Sequence, residues 1–190
     1  MTYESAPSRT EADFSLADLE YDLPQQRIAQ QPLSRRDASR MLVLSRTHGE
    51  IRDGAIADLP GALKPGDLLV LNDTKVLPAK FTAQRTTGGL IAGLFVRQDE
   101  PGSWQVMLQG SRRLRVGETL AMISGEKPSG VQITLREDAG GGFWRVSIDP
   151  PSPAEQVLDL IGRAPLPPYI HRDRTSDAAD VDDRTRYQTV

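Results

Sequence analysis

The alternation of apolar and polar positions changes texture twice along this chain. From Asp13 to Asn72 short helical and extended signals mix. Leu23 to Gln30, LPQQRIAQ, predicts a short helix with Pro24 in its first turn, stopped before Pro32. Arg40 to Ser45, RMLVLS, predicts a buried strand, with Thr47-His48-Gly49-Glu50 as the turn after it. Lys64-Pro65-Gly66-Asp67 reads as a tight turn, Pro presetting φ at the second position and Gly supplying positive φ at the third. Leu68-Leu69-Val70-Leu71 follows as a continuous apolar run, the pattern of a strand covered on both faces, and the polar Asn72-Asp73-Thr74-Lys75 breaks it.

From Val76 to Ile148 the pattern becomes strand-like and Gly-rich, holding both Trp and three of the four Phe. Short runs at Val76 to Gln84, Leu90 to Arg97, Trp104 to Leu108, Thr119 to Ile123, Val131 to Leu135 and Phe143 to Ile148 are separated by Gly-Gly, Pro-Gly or charged breaks. Such spacing predicts a small antiparallel barrel or sandwich. Val131-Gln132-Ile133-Thr134-Leu135 alternates strictly, as a strand with one face on a core requires.

After Asp149-Pro150-Pro151 helical periodicity returns. Ser152-Pro153-Ala154-Glu155 matches a capping box with Pro at the first helical position, Val157, Leu158 and Ile161 mark one apolar face, and Gly162 is placed to end the helix in the left-handed conformation. Arg186-Tyr187-Gln188-Thr189-Val190 reads as the approach to a strand. The predicted organisation is α/β: residues 1–75 and 151–190 belong to an outer domain, and 76–150 form an inserted β domain.

Composition narrows the chemistry. The 190 residues can bury a sizeable core in one domain or two small ones. Without Cys there are no disulfides, thiolate zinc sites or Cys nucleophile, which fits a reducing compartment. No apolar run approaches a membrane span and Met1 to Thr10 lacks a signal-peptide core, so the expectation is a soluble, cytoplasmic protein with no membrane partner. A net charge of -3 means that nucleic-acid binding would need a local basic patch. Two His and no Cys give no metal-ligand spacing, so no metal is expected. Gly140-Gly141-Gly142 lacks the following Lys of a phosphate-binding loop, and no dinucleotide fingerprint is present.

Several separated segments, in one order, resemble the S-adenosylmethionine:tRNA ribosyltransferase-isomerase family of queuosine biosynthesis, in its N-terminal part. They are Asp13-Phe14, Asp22-Leu23-Pro24, Ile28-Ala29-Gln30, Arg36 to Leu44, Pro65 to Lys80, Gly162 to Ile170 and Arg186 to Val190. The weakest part is the middle, where Gly88-Gly89-Leu90-Ile91-Ala92-Gly93 has Ala92 at the place of a usual Glu. Lys75 and Lys80 stand where Arg is common, keeping the charge without the planar fork. The resemblance implies an outer α/β barrel-like domain, incomplete here, carrying the inserted β-barrel. It also implies a transferase that moves the ribosyl moiety of S-adenosylmethionine, as co-substrate, onto a 7-aminomethyl-7-deazaguanine at the tRNA wobble position, giving epoxyqueuosine and releasing adenine and methionine. The partners are then tRNA and S-adenosylmethionine, no metal is used, and a monomer is the family expectation.

Site residues follow from the two readings together. Asp73 and Tyr169 are the catalytic candidates, and Arg36, Asp37, Arg40, Asn72, Thr74, Lys75, Tyr187 and Gln188 the substrate-binding ones. Asn72, Asp73 and Thr74 follow the predicted buried strand and offer convergent acceptors where open α/β sheets place ligands; hydrogen bonding within a turn is the alternative. Arg36, Asp37 and Arg40 form either a ligand-facing cluster or an ion-paired loop. Leu166-Pro167-Pro168 is a stiff segment that either presents Tyr169 to an adenine or a base, or packs it on the core. His171, in a polar loop among Arg172, Asp173 and Arg174, reads as solvated rather than as a general base. Arg112, Arg113 and Arg115, the densest basic run of the β segment, either clamp tRNA phosphates or charge a strand edge. The pairs Asp99-Glu100, Glu137-Asp138 and Asp182-Asp183 fall in predicted loops and receive no acid/base role.

Overall fold

The computed structural model describes residues 15–110, 113–172 and 177–188. Its first strands, β1 (Arg40–Leu44) and β2 (Ile51–Ala55), form an antiparallel hairpin. The connecting turn places Gly49 at φ 67°, which a residue with a Cβ adopts only with strain. A single turn, α1 (Leu59–Ala62), follows.

Six further strands make the body of the molecule: β3 (Lys80–Arg85), β4 (Leu90–Glu100), β5 (Ser103–Leu108), β6 (Thr119–Ser124), β7 (Lys127–Gly140) and β8 (Phe143–Asp149). They close into an antiparallel barrel in the order β3-β4-β5-β8-β7-β6, with β6 returning to pair with β3. Closure leaves no edge strand. Of the two predicted alternatives, the chain adopts the barrel. Period-two alternation turns Trp104, Val106 and Leu108 of β5, Val131, Ile133 and Leu135 of β7, and Trp144, Val146 and Ile148 of β8 into one core. Gly93 of β4 is small for a packing reason: a Cβ there would overlap the ring of Phe81, which fills the space.

Helix α2 (Ala154–Ile161) lies against β3, β6 and β7. Val157, Leu158 and Ile161 are buried in the barrel's own cluster, so the predicted apolar face extends the barrel core rather than starting a second one. The capping is not as predicted. Ser152 Oγ donates instead to the Pro150 carbonyl, and the orphan N–H of Ala154 is met by Gln98 Oε1 on β4 at 2.8 Å. Barrel and helix are thus stitched by a side chain that local sequence could not identify. Gly162 has φ -74°, not a left-handed value. Its smallness serves close approach, since a Cβ would collide with the carbonyl oxygens of Pro78 and Leu158. Lys80 and Arg163 then form an antiparallel bridge through bonds of 3.2 and 2.7 Å, carrying the chain past the barrel.

The remaining expectations meet a different structure. The helix near Leu23 is a 3-10 turn at Gln25–Arg27 with Pro24 as its N-cap. Strand β1 is only partly covered, with Leu42 and Leu44 exposed. Leu68 to Leu71 is not a buried strand: it has no regular structure, and Leu68 and Val70 are 88% and 81% exposed. An apolar run needs a partner ladder and a covering face to become such a strand, and neither lies beside it among the described residues. The first predicted run of the barrel is a strand only from Lys80. Arg186 ends a helix, α3 (Asp177–Arg186), which also carries Asp182 and Asp183 out of their predicted loop, and the end of the predicted strand approach, Thr189 and Val190, lies outside the described residues. Outside the barrel, the described residues hold the hairpin, short helical turns and two helices, and the barrel-like outer sheet is not among them.

Gly162→Ala is expected to lower stability by about 2–3 kcal/mol through overpacking. Urea unfolding measures it, and an unchanged midpoint would contradict the close packing of this turn on Pro78.

Candidate functional site

Three stretches far apart in sequence meet beside the barrel: the arm around Gln30, the connection from Lys75 to Pro78, and the segment from Gly162 to Gln188. What brings them together is α3. Its sequence, DAADVDDRTR, has no apolar stripe and holds its helix by charge. Arg184 pairs with Asp180 and Arg186 with Asp182, both at i,i+4 spacing, and the basic residues occupy the last turn, where the helix dipole favours them.

Each arginine then reaches beyond the helix. Arg184 donates to the carbonyls of Gly162 and Asp159, covering the C-terminal end of α2, while Asp180 Oδ1 accepts from Ala164 N at 3.2 Å. Arg186 Nη1 donates to Leu33 O at 2.9 Å and so holds the arm. From the opposing loop, Arg172 forks onto Asp183 with bonds of 2.8 and 2.9 Å, and its Nη1 donates to Gln30 O at 2.7 Å. Asp183, at 7% exposure, is the one buried charged residue among those described. Its hydrogen bond raises the Arg172 guanidinium above an already high pKa, against a smaller opposing effect of burial. A cation with a raised pKa contributes stability below its unfolded value and loses it only above the folded one. The raised Arg172 value therefore adds no pH dependence near neutrality.

Tyr187 lines two cavities. One, of about 170 Å³, is bounded by Lys75, Val76, Asp159, Arg184 and Gln188. The other, of about 220 Å³, is bounded by Gln30, Leu166, Ile170, Arg172, Asp183 and Arg186. Gln188 fixes the first wall: Val76 N donates to its Oε1 at 3.0 Å and its Nε2 donates to Val76 O at 2.8 Å, so a side-chain amide pairs with main chain as a strand residue would. The chemical resources are a half-exposed phenol ring, a buried carboxylate, several guanidinium groups and the Lys75 ammonium. Such a mixture suits a ligand with a planar part and charges of both signs.

The structure gathers some of the predicted residues and separates others. Lys75, Tyr187 and Gln188 share one cavity wall. Tyr169 is 52% exposed, next to Ile170 of the second cavity. Asn72 and Thr74 form an Asx turn, Asn72 Oδ1 accepting from Thr74 N at 3.1 Å and Oγ1 at 2.8 Å; these residues and Asp73 are exposed and line neither cavity. Arg36, Asp37 and Arg40 do not converge. Asp37 is taken by Arg35, whose hydrogen bond holds its carboxyl below the usual range, and Arg40 pairs with Asp53 on β2. Arg113 and Arg115 are exposed on the turn before β6, near the Arg85–Glu118 ion pair of 2.6 Å, and Arg112 lies outside the described residues. His171 is exposed. A further groove of about 350 Å³, by Lys80, Leu94, Met107 and Pro168, draws on none of the residues assigned a role. Among the described residues no cluster suited to a metal ion is present, and no helix is long and apolar enough to cross a membrane.

Sequence reasoning missed Gln30, Arg35, Asp159, Asp180, Asp183 and Arg184. The i,i+4 Asp/Arg spacing of α3 was a usable signal. Nothing local marks Gln30 as a neighbour of Tyr169.

A family model described as queuosine biosynthesis protein matches residues 16–190. The S-adenosylmethionine:tRNA ribosyltransferase-isomerase of Anaeromyxobacter dehalogenans is 39% identical over 179 residues, covering 92% of this chain and 49% of the relative. The protein of the same name from Xylella fastidiosa is 41% identical over 174 residues, covering 92% and 47%. The chain spans about half the length of these curated relatives. The crystal structure of S-adenosylmethionine tRNA ribosyltransferase from Thermotoga maritima is 28% identical, with a TM-score of 0.38 over 75% of this chain and 48% of that one.

Arg172→Ala leaves Asp183 buried without its partner and is expected to lower stability by about 2–3 kcal/mol, whereas Asp183→Asn in that background recovers part of the loss. Urea unfolding of both variants checks this, and strictly additive effects would contradict a coupled pair.

Proposed function

The chain belongs to the queuosine biosynthesis protein family, and on that premise we propose that it builds the S-adenosylmethionine cleft of a tRNA-modifying transferase. The reaction is transfer of the ribosyl moiety to the aminomethyl group of a 7-deazaguanine at the wobble position, with loss of adenine and methionine. One observation carries the reading: Lys75, Tyr187 and Gln188, from two distant segments that resemble the family, line a single cavity.

The chemistry suits the walls. S-adenosylmethionine combines a planar purine, a sulfonium cation and a carboxylate. The Tyr187 ring offers an aromatic face to the purine or the cation, Asp159 supplies a carboxylate in the same cavity, and Lys75 offers a point charge for the ligand's carboxylate. Proton removal beside the sulfonium needs a base within hydrogen-bond reach and a site that excludes water. We assign the base role to Asp73, two residues before Lys75 of the cavity wall, and substrate contact to Tyr169. The exposed Arg113 and Arg115 are assigned to tRNA phosphates.

A second reading, a tRNA-binding module without turnover, is favoured by the position of Asp73 outside both cavities. Adenine release separates the two. On addition of tRNA carrying the aminomethyl-deazaguanine, the transferase reading expects adenine to accumulate from S-adenosylmethionine. Salt-dependent tRNA binding with no adenine selects the module. Replacing Arg113 and Arg115 by Ala is expected to weaken tRNA binding and flatten the slope of log K against log salt by about 1–2. Titrations at several salt concentrations measure it, and an unchanged slope removes these residues from the interface.

A further inference from the structure

We infer that Gln30 is a positioning residue, which sets Tyr169 against the substrate by clamping the main chain at its carbonyl and two residues beyond, across Ile170. The inference rests on the proposed cleft. The Gln30 side chain uses both ends of its amide on one short stretch: Nε2 donates to Tyr169 O at 2.9 Å, and Oε1 accepts from His171 N at 2.8 Å. These partners lie 139 and 141 residues away in sequence.

The clamp is anchored at its back. Gln30 O accepts from Arg172 Nη1 at 2.7 Å, and Arg172 is fixed by its two bonds to Asp183. The clamped segment is stiff before it arrives, since Pro167 and Pro168 precede Tyr169 and Ile170 N donates to Pro167 O at 3.0 Å. A rigid segment held at two main-chain atoms fixes the point and direction from which the half-exposed Tyr169 side chain leaves the backbone. Gln30 also lines the second cavity with Ile170, and that cavity shares Tyr187 with the one bounded by Lys75 and Gln188.

Only an amide of this length serves. Glu keeps an acceptor for His171 N but turns an oxygen toward the Tyr169 carbonyl, so one bond becomes a repulsion. Asn is shorter by one methylene. The same device recurs at Gln188 on Val76, which places one amide clamp at each of the two cavities.

The test is a binding cycle on the full chain, with S-adenosylmethionine titrated into the parent, Gln30→Glu, Tyr169→Ala and the double variant. Thermal melting verifies folding, and Gln30→Ala serves as a second variant if Gln30→Glu does not fold. Loss of one such hydrogen bond corresponds to about tenfold in affinity. The expected result is a tenfold loss on Gln30→Glu in the parent and no further loss in the Tyr169→Ala background, because Gln30 acts through Tyr169. Affinity unchanged by Gln30→Glu, or an equal loss in both backgrounds, would overturn the inference while leaving the cleft standing. A parent chain that does not bind S-adenosylmethionine would remove the cleft and the inference together.

Discussion

Asp183 is the carboxylate that the described fold takes almost wholly out of water, and the arrangement around it follows from the need to keep it partnered. Arg172 supplies a bidentate partner, and a guanidinium has donors left over after two are used. One of those donors takes the carbonyl of Gln30. The pair therefore ties α3 to the loop after Tyr169, and that loop to an arm that comes far earlier in the sequence. Replacing it by apolar residues could preserve stability, but it would lose the directional bonds that fix the geometry of three segments at once.

The barrel supplies the platform on which this junction rests. Its core accepts Val157, Leu158 and Ile161 of α2, Gly162 allows the chain to pass against Pro78, and the Lys80–Arg163 bridge fixes the direction of departure. Arg184 then covers the carbonyl end of α2 and draws α3 into place. A continuous series of contacts thus runs from the apolar barrel interior to the polar cavities around Tyr187. The polar part is held by side-chain ion pairs and by side chain to main chain bonds, which give position without a large apolar area.

How far the sequence could be read follows the same division. Strict alternation in β7 and the breaks between short runs were enough to anticipate an antiparallel barrel or sandwich, because period-two burial is a local signal. The apolar face of α2 was legible for the same reason. Leu68 to Leu71 was misjudged because an apolar run announces a need for burial without saying what covers it. Helix α3 was hidden by its lack of an apolar stripe, its stability coming from charge pairs that a hydrophobic pattern does not register. At the site, Lys75, Tyr187 and Gln188 were reached through the family resemblance, while Gln30, Arg172 and Asp183 act through bonds that span more than a hundred residues or hide in an apparent acidic loop.

The central claim is that these distant segments form one binding surface around Tyr187. The most direct measurement is amide chemical-shift mapping of the chain during titration with S-adenosylmethionine. The account predicts perturbations grouped at Lys75 to Leu77, Tyr169 to Arg172 and Tyr187 to Gln188, with the barrel strands quiet. Perturbations confined to the Lys80, Met107 and Pro168 groove, or to the Asn72 to Thr74 turn, would contradict it.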